Sequence, residues 1–364
     1  MDCLNEIEDP RRPSNGTLHD FREMLVMSIA AVLSDSDTVE DIAYWAQSRE
    51  AWLRRFLVLK NGVPSEDTFL RLFRALDPKQ FEACFRRWVG GVVTALGAHL
   101  AIDGKTVRGS ASAGEQAIHM VSAFATELGL VLAQEKVANK SNEITAIPEL
   151  VSALHLKGFL VSIDAIGCQK AIAEQIVTRG GHYVLAVKGN QPGLLQAIQD
   201  AFIDRDAQAP CYECSEKSHG RFVCQISSVL PATGIVDPAR WPSCRAVAQI
   251  VSVRKQGEKA ARLEQRYYIC SKEISPEELA RAVRSHWGIE NRLHWVLDVT
   301  MGEDASTVRK DNAPQNLSLL KKMALNLIRM DTTDRTVKCS MRLKRKRAAW
   351  DDNVRMNMLG LKPL

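Results

Sequence analysis

Two aspartates stand where short apolar runs stop. Leu100-Ala101-Ile102 ends at Asp103, with Gly104-Lys105 directly behind it, and Phe159-Leu160-Val161-Ser162-Ile163 ends at Asp164. Carboxylates at the carboxyl ends of two parallel strands meet at one sheet edge. Joined by an acid from a later helix, they form an oxygen-donor site for Mg²⁺ chemistry on phosphodiesters. Glu290 is the candidate third acid. Ile289, Leu293, Val296 and Leu297 mark the apolar face of its helix, and Glu290 lies at the edge of that stripe beside His286 and His294.

Other groupings compete for the chemistry. His286, Glu290 and His294 recur every fourth residue, as a one-helix metal site would, but no partner motif accompanies them; phosphate contacts or helix packing are the preferred reading. Cys211-Tyr212-Glu213-Cys214, with His219, Cys224 and Cys244, hints at zinc yet lacks a second CxxC pair, so free thiols are favoured. Trp287 and Trp295 read as core, with base stacking the alternative. Lys188-Gly189-Asn190-Gln191 is either a helix-entry turn or a phosphate-holding loop.

The elements that must position these residues follow from periodicity. Phe21, Leu25, Ile29 and Val32, then Val39, Ile42 and Trp45, then Phe69, Leu72 and Phe73 behind Ser65-Glu66-Asp67, predict a helical N-terminal domain over 1–98 that binds a DNA end. Packed helices are the plain reading. A helix-turn-helix use, with Arg71, Arg74, Arg86 and Arg87 supplying charge, is the alternative. From residue 99 the texture changes to strands 100–103, 119–126 and 130–137, a helix 143–154, a strand ending at Asp164, a helix 171–178, a strand 183–187 and a helix after Pro192. This βββ-α-β-α-β-α order is the RNase H-like arrangement; strands 1, 4 and 5 are parallel, and Asp103, Asp164 and Lys188 share one edge. The predicted fold is α/β: an RNase H-like core over 99–206 and 275–330, split by a β-rich insertion over 207–274. Ser275-Pro276-Glu277-Glu278 opens the Glu290 helix with an N-cap, a proline at the first position and a capping-box acid. Residues 331–364 read as a basic tail carrying Arg342-Leu343-Lys344-Arg345-Lys346-Arg347, with Arg335 and Lys338 before it.

Composition bounds the rest. The 364 residues carry 48 Lys and Arg against 43 Asp and Glu, so local patches matter more than the net +5. Nine scattered cysteines argue against a secreted disulfide framework. The longest uncharged stretch, 88–102, is shorter than the roughly 20 residues of a membrane span. With no signal-like start, the expectation is a cytoplasmic protein without a membrane partner.

Several separated motifs carry a family resemblance. Ala101-Ile102-Asp103-Gly104-Lys105, Ser162-Ile163-Asp164-Ala165 and the run Ser285-His286-Trp287-Gly288-Ile289-Glu290-Asn291-Arg292-Leu293-His294-Trp295 resemble the DDE transposases of bacterial insertion sequences, of the ISAs type that includes the H-repeat-associated proteins. Val63 to Phe69 and Asp311-Asn312-Ala313-Pro314-Gln315-Asn316 fit the same family. The resemblance implies Asp103, Asp164 and Glu290 as catalytic metal ligands for two Mg²⁺ ions, with Mn²⁺ able to substitute and Asp103 bridging. It also implies cutting of element ends, joining of 3′-hydroxyls to target DNA, terminal inverted repeats and target DNA as partners, a homodimer on paired ends, and association with the nucleoid.

Lys105, Arg108, Lys188, Asn190, Gln191, His286, Trp287, Asn291, Arg292, His294, Lys310, Arg345 and Arg347 are the DNA-contact candidates. The chain departs from related enzymes around the final acid: His286 holds the arginine position, Val283 the tyrosine position and Leu297 the lysine position, leaving Arg284, Arg292, His294 or Lys310 to substitute. Val223 stands where Ser218-His219-Gly220-Arg221 leads one to expect an acid. Two alternatives stay open: a domesticated or inactive DNA-binding protein, and a metal nuclease that cuts without joining.

Overall fold

The computed structural model describes residues 2–13, 17–91, 99–112, 116–138, 142–205, 209–218, 221–256, 260–332 and 339–361. His219 and Gly220 of the turn motif, and Arg335 and Lys338 of the basic segment, lie outside the described residues.

The N-terminal spacing folds into α1 (Phe21–Leu33), α2 (Val39–Ser48), α3 (Glu50–Leu53), α4 (Glu66–Ala75) and α5 (Pro78–Gly90). Their starts are chemically marked. The Asp20 carboxylate accepts from the Arg22 and Glu23 N–H groups, Thr38 and Asp41 form a reciprocal capping box, and Asp77 caps α5 ahead of Pro78. Leu25, Ile29, Phe69, Leu72 and Phe73 are fully buried, as the stripes predict.

The chain then forms β1 (His99–Thr106), β2 (His119–Ala125), β3 (Leu130–Lys136), α6 (Glu143–Ser152), β4 (Leu160–Ile163), α7 (Lys170–Thr178), β5 (His182–Val187) and α8 (Pro192–Arg205). Four more strands follow: β6 (Cys211–Ser218), β7 (Arg221–Pro231), β8 (Ala246–Gln256) and β9 (Arg262–Cys270). All join one mixed nine-stranded sheet in the order β3-β2-β1-β4-β5-β9-β8-β7-β6. β4 is parallel to both β1 and β5, whereas β9 pairs antiparallel with β5, so the later strands extend the same sheet.

One expectation is corrected at the site itself. β1 does not stop at Asp103: β2 continues to offer an antiparallel partner, pairing Asp103 with Ser122 and Thr106 with His119. Only the parallel ladder to β4 ends there, at Ile102 opposite Ile163.

Ser275 caps α9 (Pro276–Ile289) by accepting from the Glu278 N–H. The helix then loosens into π-type bonding over Glu290–His294 and again over Val296–Thr300. α10 (Ala313–Met330) is buried almost throughout and packs on β3 and on α1, α4 and α5. The expected tail is also corrected. Its basic run forms α11 (Met341–Trp350), followed by α12 (Asp352–Leu359), and Ala348, Val354, Met356, Met358 and Leu359 join the core shared by α1 and α10. Burial of that apolar set outweighs the run's charge. No helix among the described residues is long and apolar enough to cross a membrane.

Candidate active site

Strand alternation puts Asp103 on the face of β1 that looks toward α9, while Leu100 and Ile102 face α6 and α7. Asp164 directly follows β4 and caps a short turn, its Oδ1 accepting from the Ile166 N–H at 3.1 Å. Glu290 occupies the junction where α9 passes into π bonding, a local widening that often marks functional positions. All three line one cavity of about 490 Å³, together with Ser162, Lys188, Arg266, Tyr268, His286 and Trp287.

The acids oppose one another electrostatically. Burial pushes the Asp103 carboxyl up to about 7, and the carboxylates of Asp164, Glu143 and Glu290 push in the same direction. Burial and Glu143 also raise Asp164, and Lys188 partly offsets them. Among the described residues, however, no three His, Cys, Asp or Glu side chains are grouped closely enough to hold one ion together. The set is hard-oxygen and crowded with like charge, which a divalent cation relieves.

The neighbouring histidines are neutral. Burial holds His286 and His294 down to about 4; His286 Nδ1 lies 2.8 Å from Ser162 Oγ, and His294 Nδ1 lies 3.7 Å from Asp103 Oδ2.

The remaining candidates separate into free and committed groups. Lys188 is exposed on the cavity rim. Asn190 and Gln191 donate to the Ala165 and Cys168 carbonyls at 2.6 and 2.9 Å, pinning the loop behind Asp164. Trp287 is exposed, with the Arg266 guanidinium 4.4 Å from its ring centre. Asn291 and Lys310 are exposed, as is Arg108, whose guanidinium stands 3.8 Å from Asp304. Arg292 donates to the Thr126 carbonyl and lies over Phe124. Arg284 is paired with Glu216, Val283 and Leu297 are buried, and Arg347 is half-buried.

Two candidates are corrected. Lys105 is not a free phosphate-binding cation: it is 9% exposed, and Asp298, Glu303 and Asp304 surround its ammonium. Arg345 is 1% exposed, ion-paired with Asp37 at 2.7 Å and bonded to the Val32 and Thr300 carbonyls. Helix packing turned one cation of the basic run inward, where the partly exposed carboxylates of Asp35 and Asp37 compensate it.

Sequence reasoning missed Glu143 and His119. Glu143 opens α6, and its Oε1 lies 2.7 Å from His119 Nε2, while His119 Nδ1 lies 2.9 Å from Thr106 Oγ1. Gly104 admits this pair, because a Cβ there would fall 2.2 Å from Glu143 Oε1. The Asp-Gly step was the available signal. Arg266 was also missed, since nothing local ties a β9 residue to the acids.

Comparison with known proteins identifies the family. A model described as DDE_Tnp_1-associated matches residues 1–89, and one described as Transposase DDE domain matches residues 94–327. "Putative transposase YncI" of Escherichia coli O157:H7 is 40% identical over 96% of this chain and 91% of its own length. YbfL of Escherichia coli K12 is 37% identical over 94% of this chain and 92% of its own. "H repeat-associated putative transposase YhhI" of the same strain matches at the same identity and coverage. The chain therefore belongs to the DDE transposase family, the family that its motifs resemble.

Proposed function

We propose that this transposase cuts the ends of an insertion sequence and joins the freed 3′-hydroxyls to target DNA at the Asp103, Asp164 and Glu290 site. One observation carries the reading: carboxylates from β1, the end of β4 and the end of α9 line a single cavity, where burial and the charges of Asp164 and Glu290 raise the affinity of Asp103 for positive charge. The five strands in the order 3-2-1-4-5, with α6 and α7 packed on one face, support an RNase H-like core.

Asp103, Asp164 and Glu290 would hold two Mg²⁺ ions, or Mn²⁺ in their place; bound there, these supply activation of the attacking oxygen and charge stabilisation of the leaving one. Asp103, whose carboxyl feels the charge of both other acids, would be the one shared between the ions. Neutral His286 and His294 shield the carboxylates without competing as cations. Lys188 and Arg266 on the cavity wall hold a phosphate in line, and Trp287 offers a flat face beside it. Exposed Arg108 and Lys310 extend the backbone contact. The helical region ahead of β1 grips the element's terminal inverted repeat, and a homodimer brings two ends together in the cytoplasm, at the nucleoid.

Purified protein incubated with labelled element ends, target DNA and Mg²⁺ or Mn²⁺ tests the reading. The wild type joins ends to target, and D103A, D164A and E290Q do not. Joining that persists in all three variants sinks the site; cutting without joining by the wild type identifies a nuclease.

A further inference from the structure

π-type helical turns are rare and leave a looser backbone than α turns, so a residue carried on one needs external ties to hold its place. Glu290 begins such a stretch. Its ties are visible. Arg329 donates to the Arg292 carbonyl, and Arg292 donates to the Thr126 carbonyl. Two ties run to the strand that carries Asp103: His294 Nδ1 stands 3.7 Å from Asp103 itself, and Lys105 reaches the second π stretch through a buried ion-pair cluster. Lys105 Nζ lies 2.6 Å from Asp298 Oδ1, within the second π stretch, and 2.7 Å from Glu303 Oε2, just beyond it. Asp304 stands 3.5 Å away on the same ammonium.

We propose that Lys105 is a positioning residue: clamped by Asp298 and Glu303, it fixes the π-bonded segment that starts at Glu290 against β1, and so sets the separation of Glu290 from Asp103. The assignment rests on the reading in which those two acids share metal ions. A lysine suits the place. Its compact ammonium offers three donors and meets three carboxylates, while its stem lies on the same face of β1 as Asp103. Glu303 is anchored independently by Ser318 Oγ at 2.7 Å, so the clamp closes on a fixed point of α10.

Asp298 is the place to cut. It is the more exposed partner, and its loss leaves Lys105 paired with Glu303. Full-length D298N should melt within a few degrees of wild type and bind labelled element ends equally well. Its affinity for Mn²⁺, read by calorimetry without DNA, should fall about tenfold or more, with a matching fall in cleavage kcat, as is typical when a group supporting metal ligands is lost. D298E, which keeps the charge, should recover most of both. K105M should lose at least as much, and if it does not fold, D298N still decides. Wild-type Mn²⁺ affinity and kcat in D298N would overturn the proposal; so would parallel loss of melting temperature, end binding and rate, which marks a purely structural role. E290Q in the same series separates the two readings. If E290Q still cuts, the site itself is wrong; if E290Q is inactive and D298N is normal, only the clamp is.

Discussion

The two faces of the first three strands are built on different principles. On one, Leu100, Ile102, Val121, Ala123 and Ala133 pack against Ile147, Leu150 and Val151 of α6 and against α7, so burial of apolar area suffices. On the other, Asp103, Lys105, Ser122 and Gln134 face α9 and α10, and a chain of buried hydrogen bonds replaces the oil. Lys105 bonds Glu303, Ser318 bonds Glu303, Lys322 bonds Ser318 and Gln134, and Gln134 and Gln315 both bond Glu82 of α5. The apolar face tolerates change wherever volume is kept. The polar face does not, because removing one member leaves a buried charge without its partner. The candidate site sits on the second face, where the fold already keeps charges dry and fixed.

The largest contrast should come from the acids. D164N should lower cleavage by on the order of 10³-fold, about 4 kcal/mol of barrier, while melting near the wild-type temperature. Steady-state cleavage beside a thermal melt checks both halves. Next is E303L, which removes the buried carboxylate shared by Lys105 and Lys322 and leaves Lys105 only its more exposed partners Asp298 and Asp304. A loss of about 3–5 kcal/mol in urea unfolding is expected; a loss below 1 kcal/mol would erase the claimed difference between the faces.

Acid should reveal the same face from another side. Burial chiefly, and His286 secondarily, hold His99 down from 6.5 to about 3. Between those values the unfolded chain binds the proton that the folded chain refuses, so stability falls as pH drops through 6.5 and keeps falling to about 3. H99Q should flatten that slope in melts taken across the range.

On the apolar face, I147V should cost only about 0.5–1.5 kcal/mol and leave cleavage per folded molecule unchanged. A larger drop in rate than in stability would show that α6 also tunes Glu143. Smallest of all, K310A should weaken end binding equally across sequences and reduce the slope of log K against log salt by about one.

Sequence alone determined which residues are candidates for the chemistry and in what order the elements occur. As candidates, Asp103, Asp164 and Glu290 were legible because acids directly behind apolar runs, and an acid beside a helical stripe, are local patterns, although β1 itself runs on past Asp103 to Thr106. The cap at Ser275 was local in the same way. Tertiary structure alone decided where charges went. Arg345 and Arg347 lie in one basic run, yet helix packing buries the first against Asp37 and leaves the second partly open. Lys105 looked like a phosphate ligand until Asp298 and Glu303, nearly two hundred residues away, closed on it. The π bonding after Glu290 and the approach of Glu143 over Gly104 have the same origin. Periodicity reports the face a residue occupies, but the sign and distance of what meets it there depend on segments remote in the chain, and for a buried charge those decide everything.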